Sequence, residues 1–131
     1  MGKIQRFEDL DIWKKAIEIA VEVYHLADKG LLATDYKSRG QFIDAAISIS
    51  NNIAEGFEYN SNRSFINFLR YAKGSAGEVR SQAFVLVKAS SISESEYQSL
   101  YLKLENISKE IKGFMKYLQD YENQKKINPK S

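Results

Sequence analysis

Glu22 and His25 stand three residues apart, a spacing at which two side chains on one helix face can share a metal ion. Glu18 adds a second carboxylate one turn earlier. A di-iron carboxylate bundle needs two such Glu-x-x-His pairs and two further glutamates in its core. His25 is the only histidine, so one chain cannot complete that set. The plainer reading is a pair of solvated side chains on a polar helix face, with no metal and no cofactor. One histidine and no cysteine also leave no Ser-His-Asp or Cys-His arrangement for nucleophilic catalysis. Gly74-Ser75-Ala76-Gly77 is glycine-rich, but it falls inside a long helical pattern and cannot cradle phosphate as a loop does. The expectation is a protein that is not an enzyme and takes no small-molecule substrate.

The third helical segment does carry a chemical signal. Arg63, Arg70, Lys73, Arg80 and Lys88 fall within about 100° on a helical wheel, and Glu78 is the segment's only acid. Such a stripe can track a phosphate backbone. It can equally be a solvated face, or meet the acids of a neighbouring subunit. Ile66 and Phe84 lie about five turns apart and share one azimuth inside the stripe, with Gly74 and Gly77 close by. Apolar and small residues among charges resemble an interface, so a protein partner competes with RNA for this face.

The elements that must position these residues follow from the chain as a whole. Its 131 residues are one domain's worth, with 44% hydrophobic and 27% charged residues. A net charge of +2 sets up no strong global field toward nucleic acid or membrane. The lack of cysteine fits a reducing compartment. No apolar run approaches the roughly 18 residues of a membrane span. The N-terminus has no apolar core of a signal peptide, and Arg6 spoils the Met1-Gly2 myristoylation pattern. A cytoplasmic protein with no membrane contact is expected.

The only proline is Pro129, and apolar residues recur at three and four rather than two. This spacing predicts helices over about 9–28, 35–58, 63–89 and 94–122, in one domain spanning 1–122. A polar, flexible tail is expected over 123–131. Leu31 to Thr34 reads as a loop, with Thr34 or Asp35 capping the second helix and Ser61 or Asn62 the third. Ser93 and Glu96 form a capping box at the start of the fourth. The sum is an all-α, antiparallel up-down four-helix bundle.

The width of the apolar faces adds a second expectation. The first helix carries an unbroken apolar arc of about 220°, and the second is widened on one flank by Ile43, Ile47 and Ala54. A bundle helix needs a stripe of little over 100°. Surplus apolar surface tends to mark a partner. A homo-oligomer is therefore expected, with the flanks of Ile12, Ile19, Ile43 and Ile47 turned toward neighbouring copies.

Four ordered motifs resemble the bacterial 23S rRNA intervening-sequence proteins, also called four-helix bundle proteins. Phe7 to Ala16 is similar to that family's Phe-x-Asp-Leu-x-Val-Trp-x-x-Ala opening. Ala45 to Gly56 is similar to its Ala-Ala-Val-Ser-Ile-Pro-Ser-Asn-Ile-Ala-Glu-Gly. Phe65-Ile66-Asn67-Phe68-Leu69 with Ala72, Gly74 and Ser75 looks like a third motif, and Glu78 with Gln82 a fourth. The resemblance spans about Phe7 to Leu118. It implies ring-shaped homopentamers and, from the rRNA-gene location of some members, association with ribosomal RNA or ribosomes. A related set serves diversity-generating retroelements, where a basic pentamer binds reverse transcriptase and nucleic acid. This chain departs from the pattern at Ile43-Asp44, where the family has two arginines. It departs again at Ser50, where the family has proline, and at Arg80, where it has an acid. The first change takes charge from the second helix and the third adds to the basic stripe. The matched polar residues Asn52, Glu55, Ser75, Glu78 and Gln82 form either a shared site or a hydrogen-bonded network that fixes helix register.

Overall fold

The computed structural model describes residues 3–127. Among them there are four α-helices and no strands: α1 (Asp11–Ala27), α2 (Tyr36–Glu58), α3 (Asn62–Lys88) and α4 (Glu94–Ile127). Among the described residues no helix is long and apolar enough to cross a membrane.

Three of the four starts are held by the side chains their sequence offers. Asp35 caps α2 by accepting from the Ser38 N–H at 3.3 Å, and Ser61 caps α3 by accepting from the Ser64 N–H at 3.3 Å. At α4 the capping box closes both ways. Glu96 N–H donates to Ser93 Oγ at 3.1 Å, and Ser93 N–H donates to Glu96 Oε1 at 2.8 Å.

The connection after α1 differs from the expectation. Residues Gly30–Thr34 form a 3-10 turn instead of a loop, and that turn drives Leu32 fully into the core. The end of α3 is closed by Ser90 at φ +61, with Ser91 N–H donating to Leu86 carbonyl at 2.8 Å and Ser90 N–H to Val87 carbonyl at 3.1 Å. That pair of bonds is a Schellman closure, made here without glycine.

The far end of α4 is a further correction. The helix runs to Ile127, so residues 123–127, expected in the tail, are helical, while 128–131 lie outside the described residues. The apolar stripe stops at Leu118. Beyond it, Lys116 to Asp120 and Gln119 to Asn123 side-chain bonds, each spanning four residues, sustain the helix.

One core joins all four helices. Ala16, Val23, Ile49, Ile53, Leu69, Val79, Leu104 and Ile111 are essentially solvent-free within it. Along α1 from Lys15 to Glu22, the partners on α4 run back from Glu110 to Lys103. Along α2 from Gln41 to Ser48, the partners on α3 run back from Gln82 to Ser75. α2 and α3 approach closely at Gly56, where a Cβ would fall 2.7 Å from the Phe68 Cβ and 2.9 Å from the Phe65 ring.

Most of the wide apolar arcs of α1 and α2 is covered inside the chain. Ile12, Ile19 and Ile43 are buried within the single chain, and Ile47 is half-buried against the same core. These four residues are therefore no exposed interface. Each helix lies in a corner between two neighbours, and short 3-10 turns at Phe7–Asp9 and Gly30–Thr34 pack on α1 and α2 as well. A helix so placed needs apolar residues on both flanks. The bare apolar residues are others: Val21 and Tyr24 on α1, and Tyr36 at the start of α2.

Candidate nucleic-acid interface

The basic stripe survives folding as a stripe. Arg63, Arg70, Lys73, Arg80 and Lys88 are all exposed along α3. None of the five pairs with a carboxylate among the described residues, whereas Lys15, Lys29, Arg39 and Lys103 are tied to acids across the bundle. Arg70 donates only to the neutral Asn67 amide oxygen, at 2.9 Å.

α4 supplies the other half of this face, which no pattern along the sequence announced. Its aromatic residues come up beside the upper part of the stripe. The Phe84 ring lies 6.3 Å from Tyr97, and Tyr97 lies 5.8 Å from Tyr101. Two stripe cations sit on that group: the Lys88 ammonium 5.4 Å from the Phe84 centroid, and the Arg80 guanidinium 5.9 Å from that of Tyr101. Helix spacing could not reveal this, because the pairing depends on the register of α3 against α4. Glu105 is an acid beside the group. Its hydrogen bonding to the Tyr101 hydroxyl is the main reason that phenol is pushed above its ordinary value. Lys109 also reaches Glu105, at 3.8 Å.

The small and apolar residues of the stripe separate. Ile66 is buried and takes no part in an outer contact, while Phe84 is 50% exposed. Gly74 and Gly77 face open space, since a Cβ at either would meet nothing within 4 Å. The α3 backbone is thus bare in mid-stripe.

The matched polar residues are brought together only in part. Ser48 and Ser75 hydroxyls lie 2.9 Å apart across α2 and α3, and Asn52 Nδ2 donates to Ser48 Oγ at 3.0 Å and to Ser48 carbonyl at 2.8 Å. Ser48 is the link, and it was not in the expected set. Gln82 Nε2 reaches Gln41 carbonyl at 3.4 Å, while its Oε1 is buried with no partner among the described residues. Glu55 and Glu78 are exposed and outside the network. Ser50 is buried and returns its hydroxyl to Ile47 carbonyl at 3.0 Å.

The Glu22-x-x-His25 spacing brings no pair together. Glu22 turns to α4 and accepts from Lys103 and Ser99, while His25 is exposed. The described residues hold no cluster of histidine and acids able to bind a metal. An open cleft where Lys29 and Glu96 meet at 2.7 Å beside Ser90 and Ser91 gathers no catalytic constellation among the described residues.

No curated protein matches the chain. It resembles the crystal structure of a protein of unknown function from the S23 ribosomal protein family of Bacteroides thetaiotaomicron VPI-5482. That likeness has a TM-score of 0.73 and 26% identity, and covers 80% of this chain and 95% of that one. The family model described as 23S rRNA-intervening sequence protein matches residues 8–113. With four-fifths of its length matched in this way, the chain belongs to the 23S rRNA-intervening sequence protein family.

Proposed function

We propose that this chain is a non-enzymatic RNA-associated protein that meets ribosomal RNA, free or in ribosomes, through the outer face of α3. In this reading it is a cytoplasmic homo-oligomer, a pentamer by family resemblance, whose protomer is an antiparallel up-down four-helix bundle. The observation that carries the reading is the set of five exposed α3 cations without carboxylate partners among the described residues. Cations left free on one helix face, while others are paired across the bundle, are the electrostatic footprint of a polyanion site. The family's designation, 23S rRNA-intervening sequence protein, points to the same polyanion.

The test is binding of a labelled 23S rRNA fragment across a salt series. Engagement of four or five phosphates predicts a log–log salt slope of about −3 to −4. Arg70→Glu combined with Arg80→Glu is expected to abolish measurable binding at moderate salt. Absence of binding at low salt, or binding indifferent to salt, would falsify the proposal.

A second reading is a protein-interaction scaffold without nucleic-acid contact, such as a retroelement accessory subunit that binds a reverse transcriptase. The exposed apolar residues Val21, Tyr24, Tyr36 and Phe84 favour it. It predicts that Phe84→Asp removes a protein partner from a pull-down while Arg70→Glu plus Arg80→Glu does not.

A further inference from the structure

We infer that the α3 face takes single-stranded rather than duplex RNA, with Phe84 as the platform on which a base stacks. The inference rests on the RNA reading above and sharpens it. Phe84 is 50% exposed, an unusual state for a phenylalanine on a charged helix face, and nothing in the core requires it there. Tyr97 and Tyr101 extend it into one aromatic surface along α4, with centroid separations of 6.3 and 5.8 Å. Arg80 and Lys88 stand one helical turn before and after Phe84, about 6 Å along the axis each way. A base laid on the Phe84 ring therefore has its two flanking phosphates within reach of one cation each. Both cations lie over aromatic rings in the free chain. They are exposed and keep no carboxylate partner among the described residues, so they are free to turn from ring to phosphate.

Duplex RNA offers phosphates but hides its base faces in the stack. It would use the cations and leave the aromatic surface idle. An unpaired strand uses both, and stacking tolerates any base because each has a π-face. Of the acids on this part of α4, Glu105 has Lys109 at 3.8 Å, and Glu94 accepts from Gln98 at 3.2 Å. Lys73, Gly77 and Gly74 continue the track without bulk toward Arg70.

The experiment is fluorescence anisotropy at low salt on the full chain. It compares labelled 12-nucleotide oligo(U) and oligo(A) with a 12-base-pair RNA duplex, for wild type, Phe84→Ser and Phe84→Tyr. Circular dichroism checks that each variant keeps its helices. The expected result is tighter binding of both single strands than of the duplex. Phe84→Ser should weaken single-strand binding about 5- to 100-fold. Phe84→Tyr should restore it, and duplex binding should stay within about twofold throughout. Equal binding of duplex and single strand, or no effect of Phe84→Ser, overturns the stacking platform while leaving the phosphate contacts standing. Absence of binding to any of the three RNAs at low salt removes the RNA reading itself. Light scattering on the same variants covers the other occupant: loss of self-association in Phe84→Ser, without RNA binding, assigns the face to a neighbouring copy and overturns the inference.

Discussion

Gly56 on α2 lies so close to Phe68 on α3 that a Cβ on the glycine would fall 2.7 Å from the Phe68 Cβ. The other atoms in the way are the Phe65 ring and backbone, at 2.9 and 3.4 Å, so the contact cannot be relieved by moving the tip of a flexible side chain. Gly77, by contrast, faces open space in the middle of α3. Gly56→Ala should destabilise the protein by about 1–3 kcal/mol, overpacking outweighing the gain in helix propensity. Gly77→Ala should stabilise it by about 0.5–1 kcal/mol. Urea denaturation of the two variants gives both signs in one experiment.

The Ser48–Ser75 contact predicts coupling between α2 and α3. Ser75→Ala leaves the half-buried Ser48 hydroxyl with only the Asn52 amide. Each single alanine variant should cost about 0.5–1.5 kcal/mol. The double variant should cost less than the sum, by about 0.5–1 kcal/mol. A double-mutant cycle by thermal denaturation measures that difference, and simple additivity would show that the two hydroxyls do not interact.

Glu96 predicts part of the acid limb of stability. Its hydrogen bond with Lys29, aided by the Ser93 N–H, holds its carboxyl below the usual glutamate value. The folded form therefore binds its proton less readily than the unfolded chain. The stabilisation is complete above the ordinary glutamate range near pH ~4.3, and it is lost as pH falls through the lower folded value. Glu96→Gln should cost about 0.5–1 kcal/mol at pH 7 and flatten the decline below pH ~4.5. Urea midpoints between pH 7 and pH 3 for the two proteins test it.

Assembly is tested by separating core from surface on α1. Ile19→Ala, at a position 1% exposed, should cost about 2–4 kcal/mol whatever the oligomeric state. Val21→Asp with Tyr24→Asp alters residues 46% and 43% exposed, so the protomer should stay folded. If copies cover that patch, the doubly substituted protein shows a lower mass by light scattering at micromolar concentration. An unchanged mass moves the contact elsewhere, and a wild type that is already monomeric ends the assembly proposal.

The helices were legible because each local signal agreed with the global one. Spacing at three and four marked their bodies, and Asp35, Ser61 and the Ser93–Glu96 pair marked three starts. What escaped had no local signature. The closure at Ser90 uses no glycine, the 3-10 turn around Leu32 is too short for periodicity, and the last turns of α4 are polar. The arcs misled for a different reason: a wheel shows how much of a helix is apolar, but not how many neighbours surround it. Ile12, Ile19 and Ile43 are core residues for that reason. The candidate face was half legible. The cations share an azimuth on α3, but Tyr97 and Tyr101 join them only through helix pairing.

Leu32 closes one end of the bundle as a keystone closes an arch. The opposite end turns through Tyr59 and Asn60, both exposed, with Asn60 at φ +54. The two connections therefore have unequal freedom to change. New termini or an inserted tag at Asn60 would leave the interior sealed, whereas the same cut beside Leu32 would let water into the barrel of helices from above.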